Sequence, residues 1–237
     1  NPGNGVIHMY CDVKKLLDVC HAKGCTMTEY LGANFILSIY ESQIKDKLQN
    51  ANDTQLFVPI NLRKIFGSKT LRNFSLFSRV GADPYNDMDM DKLIQIMHEN
   101  LKRDMDKDLL KDKISTTVWA EKFFLVRFIP LFLKKMFFSF SNTLFGKSKK
   151  TATLSNFGVL DIPQSMQQHI ESASFSISSN ATTPLSLSII SCSGKVCITF
   201  TRRITDTQIE RLFAKRLTDD GIEVSVTSNF WEVDNAL

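Results

Sequence analysis

Between Leu56 and Arg79 the chain reads LFVPINLRKIFGSKTLRNFSLFSR, and this stretch gathers the cations Arg63, Lys64, Lys69 and Arg72 with the asparagines Asn61 and Asn73. Arginine stays charged and presents a rigid fork of donors that grips a carboxylate, while lysine offers a compact charge suited to phosphate. A solvated loop face is the other reading of the same residues, and their types leave both open. The rest of the sequence is poor in catalytic signals. His8, His21, His98 and His169 stand far apart, and each reads as a surface or packing histidine. Ser155 precedes Asn156, yet no histidine is placed by spacing to activate it. There is no G-x-S-x-G, no P-loop and no G-x-G-x-x-G. The cysteines Cys11, Cys20, Cys25, Cys192 and Cys197 form neither a C-x-x-C nor a zinc spacing, so no metal site is expected. These residues suit charge recognition and do not make a complete active site.

Composition narrows the class. The chain has 237 residues, 43% of them hydrophobic, which is enough to fill a core. A net charge of +4 and a pI near 8.7 are too mild for a nucleic-acid partner. Five cysteines, an odd number, fit a reduced, cytoplasmic setting. The chain opens Asn-Pro-Gly-Asn-Gly rather than with Met, which reads as a piece cut from a longer protein.

Several elements must position these residues. Apolar spacing predicts a helix from Asp12 to Lys23 with Gly24 as its stop. Thr26-Met27-Thr28-Glu29 is a capping box that opens a second helix reaching about Lys47, apolar nearly all round and therefore buried. A strand at Leu56–Val58 meets Pro59, which belongs at an edge or strand end because proline cannot donate to a ladder. Gly67-Ser68-Lys69 forms a turn, and a second strand opens at Asn73. After a loop, one helix from Asp91 to about Leu110 follows, with Lys102 to Lys113 as its solvated end.

Trp119 to Phe145 is rich in phenylalanine and in cations, and no acid occurs between Glu121 and Asp161. A basic aromatic helix can lie at a membrane surface, while two short core helices covering a sheet, split at Pro130, would have the same composition. The charges interrupt any apolar run of about 20 residues, so a transmembrane helix is excluded. Beyond Lys150 the pattern alternates. Thr151–Ser155 reads as a strand ending in the turn Asn156-Phe157-Gly158, followed by strands at Ser174–Ser178, Leu185–Ser191 and Val196–Thr201. The last two are joined by a hairpin at Cys192–Lys195. Thr205 caps a final helix, Asp206–Leu217, and Val224 and Val226 suggest a short last strand. Helices and strands mix without strict alternation, predicting an α/β (α+β) layer structure: a mixed, mostly antiparallel sheet covered by helices.

In order and in three local signatures these elements resemble the C-terminal half of the chloramphenicol-acetyltransferase-like superfamily. That group includes condensation domains of peptide synthetases, plant acyl-CoA-dependent acyltransferases and alcohol-acetyltransferase-like proteins. AKGCTMTEYLGANFILSIYE (Ala22 to Glu41) resembles the helix that opens the second lobe. VPINLRKIFGSKTLRNF (Val58 to Phe74) is similar to the N-x-R … G-N strand pair, and TATLSNFGVLDIP (Thr151 to Pro163) to the S-N-x-G turn of the alcohol-acetyltransferase branch. The resemblance covers nearly all of residues 1–237.

The resemblance implies that the chain is the second lobe of a two-lobe acyltransferase and is inactive alone. It implies transfer of an acyl group from a coenzyme A or acyl-carrier-protein thioester to a small alcohol or amine, with no tightly bound cofactor. The family's general base is the second histidine of a His-His-x-x-x-Asp-Gly motif in the first lobe, and such a base supplies about 10²- to 10⁴-fold. That motif is absent from these residues, so no catalytic residue is assigned here. By motif match Arg63 would pair with the motif's aspartate, Asn61 and Asn73 would support the cleft, and Ser155, Asn156 and Gly158 would line the channel between lobes. Lys64, Lys69, Lys149 and Lys150 are candidates for a thioester's phosphate. The turn departs from the D-F-G-W-G of the plant enzymes. The implied partners are the protein's own N-terminal lobe, the donor and the acceptor. A binding or scaffold module touching membrane through the Phe-rich segment is the alternative.

Overall fold

The computed structural model describes residues 4–45, 54–83, 89–122, 151–180 and 183–229. In chain order the elements are β1 (Gly5–Asp12), α1 (Val13–Ala22), α2 (Met27–Lys45), β2 (Thr54–Asn61), α3 (Leu62–Phe66), β3 (Ser75–Ala82), α4 (Met90–Asp104), α5 (Lys107–Lys122), β4 (Ala152–Val159), α6 (Gln164–Gln167), β5 (Leu185–Cys192), β6 (Lys195–Arg202), α7 (Gln208–Asp219) and β7 (Ser225–Ser228). The strands form one seven-stranded sheet in the order β3-β2-β4-β5-β6-β1-β7. β4 runs parallel to β2 and β5, and the other neighbouring pairs are antiparallel. The predicted mixed, mostly antiparallel α/β architecture is the one observed.

Alternation along each strand sorts the sheet into two unlike faces. One carries Leu56, Val58, Val80, Leu154, Leu187, Ile189, Ile198 and Phe200, which join Leu16 of α1, much of α2, Leu93 and Met97 of α4, and Phe213 and Leu217 of α7 in one core. Phe200 meets Phe35 and Phe213 edge-on at 5.6 and 5.0 Å, contacts worth about 0.5–1.5 kcal/mol each beyond their area. The opposite face carries hydroxyls: Ser186, Ser188, Thr199 and Thr201 are all buried. β1 supplies a strand of this sheet where the chain's start offered no strong pattern, and it places His8 on that polar face, its Nδ1 2.8 Å from Thr199 Oγ1.

The helix signals acted as their chemistry requires. Asp12 caps α1 by accepting from Lys15 N at 2.9 Å. Gly24, at φ 63°, closes the helix, with Cys25 N–H donating to Cys20 O. In the capping box, Thr26 N–H donates to Glu29 Oε2 at 2.7 Å and Glu29 N–H to Thr26 Oγ1 at 3.3 Å. α2 is buried because helices flank it on both sides. Gly32 permits that approach, since a Cβ there would lie 2.4 Å from Met97 Cε. Asn34 of α2 donates to Phe213 O at 3.2 Å, and Arg216 of α7 meets Glu41 at 2.7 Å, joining α2 to α7 through polar groups.

Four expectations are corrected. The single helix at Asp91–Leu110 is two, because Asp106 takes the N–H groups of Asp108 and Leu109 at 3.0 Å and starts α5. Its end is not wholly solvated: Asp104 is buried, accepts from Ser78 Oγ at 2.7 Å, and lies 3.3 Å from Lys113 Nζ. Residues 174–178 belong to no ladder. They cross the polar sheet face, where Ser188 Oγ donates to Phe175 O at 2.9 Å, so a period of two marks a half-buried overlay rather than a strand. The last helix begins at Gln208, two residues beyond Asp206, whose carboxylate accepts Gln208 N–H at 3.0 Å. Phe123 to Phe145, with Pro130, Lys149 and Lys150, lie outside the described residues.

Candidate functional site

β2, β4 and β5 point the same way, so their C-terminal ends share one edge of the sheet. β2 and β4 are laddered only where Leu56 faces Ala152 and Phe57 faces Thr153. Gln55 and Thr151 close that end, with Thr151 N–H donating to Gln55 O at 3.1 Å and Gln55 N–H to Thr151 Oγ1 at 3.0 Å. Beyond Phe57 and Thr153 no ladder pair joins the two strands, and their carboxyl ends stand as separate walls. Openings past the carboxyl ends of parallel strands are where open α/β sheets take ligands.

One wall is built from the first motif. Asn61 ends β2 and caps α3, its Oδ1 accepting from Arg63 N at 3.0 Å. Gly67, at φ 63°, ends that single turn of helix, and glycine takes this backbone without a Cβ clash. Pro59 is tolerated within β2 because it lies past the last pairing with β4. Arg63 is half-buried, and its Nε donates to Thr70 O at 2.8 Å while Nη2 donates to Arg72 O. The guanidinium thus staples the 67–72 loop. Asn73 precedes β3 and accepts from Ser75 Oγ at 2.8 Å, so the strand begins two residues later than expected. Lys64 and Lys69 are exposed beside this loop.

The other wall is β4. The expected turn at 155–158 is a β-bulge inside a longer strand: the register with β5 slips between Asn156 and Gly158, and pairing resumes to Val159. Asn156 creates it. Its Oδ1 accepts Gly158 N–H at 2.8 Å, and its Nδ2 donates to Thr28 Oγ1 at 2.9 Å in the first turn of α2. Gly158 takes φ 85° with open space where a Cβ would stand. Bulges bend a strand and re-aim its side chains; here Phe157 and Val159 are left exposed. Just past the bulge, Val159, Asp161, Ile162, Gln167 and Ser193 line a cleft of about 580 Å³. Ser193 takes φ 49° at the hairpin, and its Oγ donates to Ile170 O at 2.6 Å.

Asn61 and Arg63 therefore lie at the carboxyl end of β2, Asn73 just before β3, and Ser155, Asn156 and Gly158 within β4. Lys149 and Lys150 lie outside the described residues. Thr28, which holds the bulge, carried no signal of that role in sequence, because its partner lies 128 residues away. Burial lowers the pKa of His8, and His98 Nδ1 lies within hydrogen-bond distance of Glu29 Oε1, at 2.9 Å. Among the described residues no group of three His, Cys, Asp or Glu is placed to hold a metal ion, and no helix is long and apolar enough to cross a membrane.

The fold is that of chloramphenicol-acetyltransferase-like proteins. The family profile described as alcohol acetyltransferase matches residues 4–213, and the chain belongs to that family. Solved structures agree on the fold. Vinorine synthase superposes with TM-score 0.55 at 10% identity, over 92% of this chain and 48% of its own. The epimerization domain from the third module of tyrocidine synthetase B gives 0.52 at 14%, over 91% and 47%. The wax ester synthase/diacylglycerol acyltransferase from Marinobacter aquaeolei VT8 gives 0.50 at 9%, over 92% and 49%. The chain thus spans about half the length of these relatives. No curated protein matches it.

Proposed function

We propose that the chain is the second lobe of a two-lobe acyltransferase, moving an acyl group from a coenzyme A or carrier-protein thioester to a hydroxyl or amine. The observation that carries this reading is the parted edge between β2 and β4, with Arg63 on one wall and the Asn156–Gly158 bulge on the other. Two of the Arg63 donors are spent on loop carbonyls, which fixes the guanidinium before any partner arrives and lowers the ordering cost of binding. Its remaining N–H groups are suited to a carboxylate from a companion lobe, the position the family gives to the aspartate of its histidine motif. The general base belongs to that companion lobe. A thioester arm and an acceptor entering from opposite sides would meet there, with orientation supplying much of the rate. Lys64, Lys69, Lys149 and Lys150 are the cations offered to the donor's phosphate.

The test is release of free thiol from acetyl-coenzyme A and longer acyl thioesters, with and without a panel of small alcohols and amines. Residues 1–237 alone should release none above background, and the protein carrying a two-histidine lobe upstream should release thiol when an acceptor is supplied. Turnover by residues 1–237 alone, or none by the longer protein with any pair, would sink the reading.

A second reading has its own observation. Met105, Leu109, Val118 and Trp119 are exposed on and beside α5, and the sequence that follows is basic and Phe-rich with no acid before Asp161. A non-catalytic module docking on anionic lipid would use that surface. Flotation with phosphatidylserine vesicles tests it, and a chain that stays at the bottom of the gradient counts against it.

A further inference from the structure

The polar face of the sheet holds a second pocket, which begins at Phe57 and Thr153, the last pair of the β2–β4 ladder. Phe57 of β2 and Phe77 and Arg79 of β3 form its floor, Thr153 of β4 one side, and Ser178 and Asn180 the overlying segment; its volume is about 410 Å³. The two rings lie 6.5 Å apart, and the Arg79 guanidinium sits 5.2 Å from the centroid of the Phe57 ring. A cation–π contact of this kind holds the guanidinium over the ring without using up its N–H donors. Arg79 is exposed, and among the described residues no carboxylate pairs with it. Among the described residues the pocket has no acidic lining residue and no second cation. Phe77 remains 56% exposed, a large apolar surface left beside the Arg79 charge.

We infer that this pocket binds a monoanionic amphiphile, a medium-chain carboxylate whose head takes the Arg79 fork and whose tail covers Phe77. The volume is within the range of small-ligand sites, and three apolar side chains, Phe57, Leu76 and Phe77, lie beside the polar ones. A single guanidinium matches one carboxylate in a bidentate geometry. A phosphate monoester, with close to two charges at neutral pH, would leave charge uncompensated because no further cation among the described residues lines the site. Thr153 places a neutral hydroxyl beside the head. The site goes beyond acyl transfer and does not depend on it, since a chain without any transferase activity would still bind.

The experiment is calorimetric titration of the chain with octanoate, octanol and octyl phosphate, all below their micellar concentrations. Octanoate should bind saturably with one site per chain, and octanol about tenfold more weakly or worse. Arg79→Gln, an exposed change that leaves the fold intact by circular dichroism, should weaken octanoate by about tenfold and leave octanol unchanged. Phe77→Ala should weaken both. The inference is overturned by absence of saturable octanoate binding, by equal octanoate affinity in Arg79→Gln, or by octyl phosphate binding tenfold tighter than octanoate. Thiol-release activity is irrelevant to each outcome, so the failure of acyl transfer and the failure of this site are read separately.

Discussion

Asn156 and Thr28 stand 128 positions apart and meet at 2.9 Å, the amide of one donating to the hydroxyl of the other. The same amide accepts Gly158 N–H, so one side chain both makes the bulge in β4 and ties it to the first turn of α2. Asn156→Ala removes both bonds and should cost about 1–3 kcal/mol. Thr28→Val removes one and should cost about 1 kcal/mol. A double-mutant cycle read by urea unfolding should give a coupling of about 0.5–1.5 kcal/mol; zero coupling would dissolve the tie.

Two glycines should respond to alanine for different reasons. Gly158 has room for a methyl group but sits at φ 85°, so Gly158→Ala meets only backbone strain, about 1–3 kcal/mol. Gly158→Asn should cost less, since asparagine tolerates that region. Gly32→Ala instead drives a methyl into Met97 Cε, an overpacking cost of about 1–3 kcal/mol. Met97→Leu ends one atom sooner and should relieve part of it, giving a double mutant more stable than additivity predicts. Additive costs in thermal unfolding would show the clash to be absent.

Asp104 should shape the acid limb of stability. Burial pushes its carboxyl pKa up, but the Ser78 hydroxyl, Lys113 and Arg103 outweigh burial and hold it below the ordinary value. A depressed carboxyl stabilises above its unfolded pKa of about 3.9 and loses that contribution as pH falls through the folded value. Asp104→Asn should cost about 1–3 kcal/mol at pH 7 and flatten the fall in stability below about pH 4. Urea midpoints at pH 7, 4 and 3 measure both, and parallel curves for parent and variant would contradict the assignment.

Arg202 and Glu210 place Nε 3.5 Å from Oε1 with both side chains almost wholly buried. Burial raises the Glu210 pKa, and Arg202 offsets part of the rise. A raised carboxyl binds its proton more tightly folded than unfolded, so its contribution is present at acid pH and lost as pH rises through the folded value. Arg202→Met strands the carboxylate and should cost about 3–5 kcal/mol at neutral pH. Arg202→Met with Glu210→Leu should recover most of that loss, as apolar replacements of buried pairs do. A double variant as unstable as the single one would locate the cost elsewhere, in the Arg202 bonds to Thr205 O and Asp206 O.

Local chemistry alone settled a good part of this chain. Thr26 and Glu29 cap α2 as their spacing requires, Gly24 and Gly67 close helices through positive φ, and alternation marks β5 and β6. Each depends on residues a few positions apart, whose interactions survive any tertiary arrangement. The motifs at Asn61–Asn73 and Ser155–Gly158 were legible as types for the same reason. Contacts between distant segments were not. Only packing decided that the parallel ladder of β2 and β4 stops after Phe57 and Thr153, that Thr28 holds Asn156, and that residues 174–178 overlie the sheet instead of joining it. Asp106 broke a helix whose apolar period ran on, because capping bonds and the burial of Asp104 favoured two helices over one. The stacking of Arg79 on Phe57 likewise exists only because β3 pairs with β2 in that register, setting cation and ring side by side on one face.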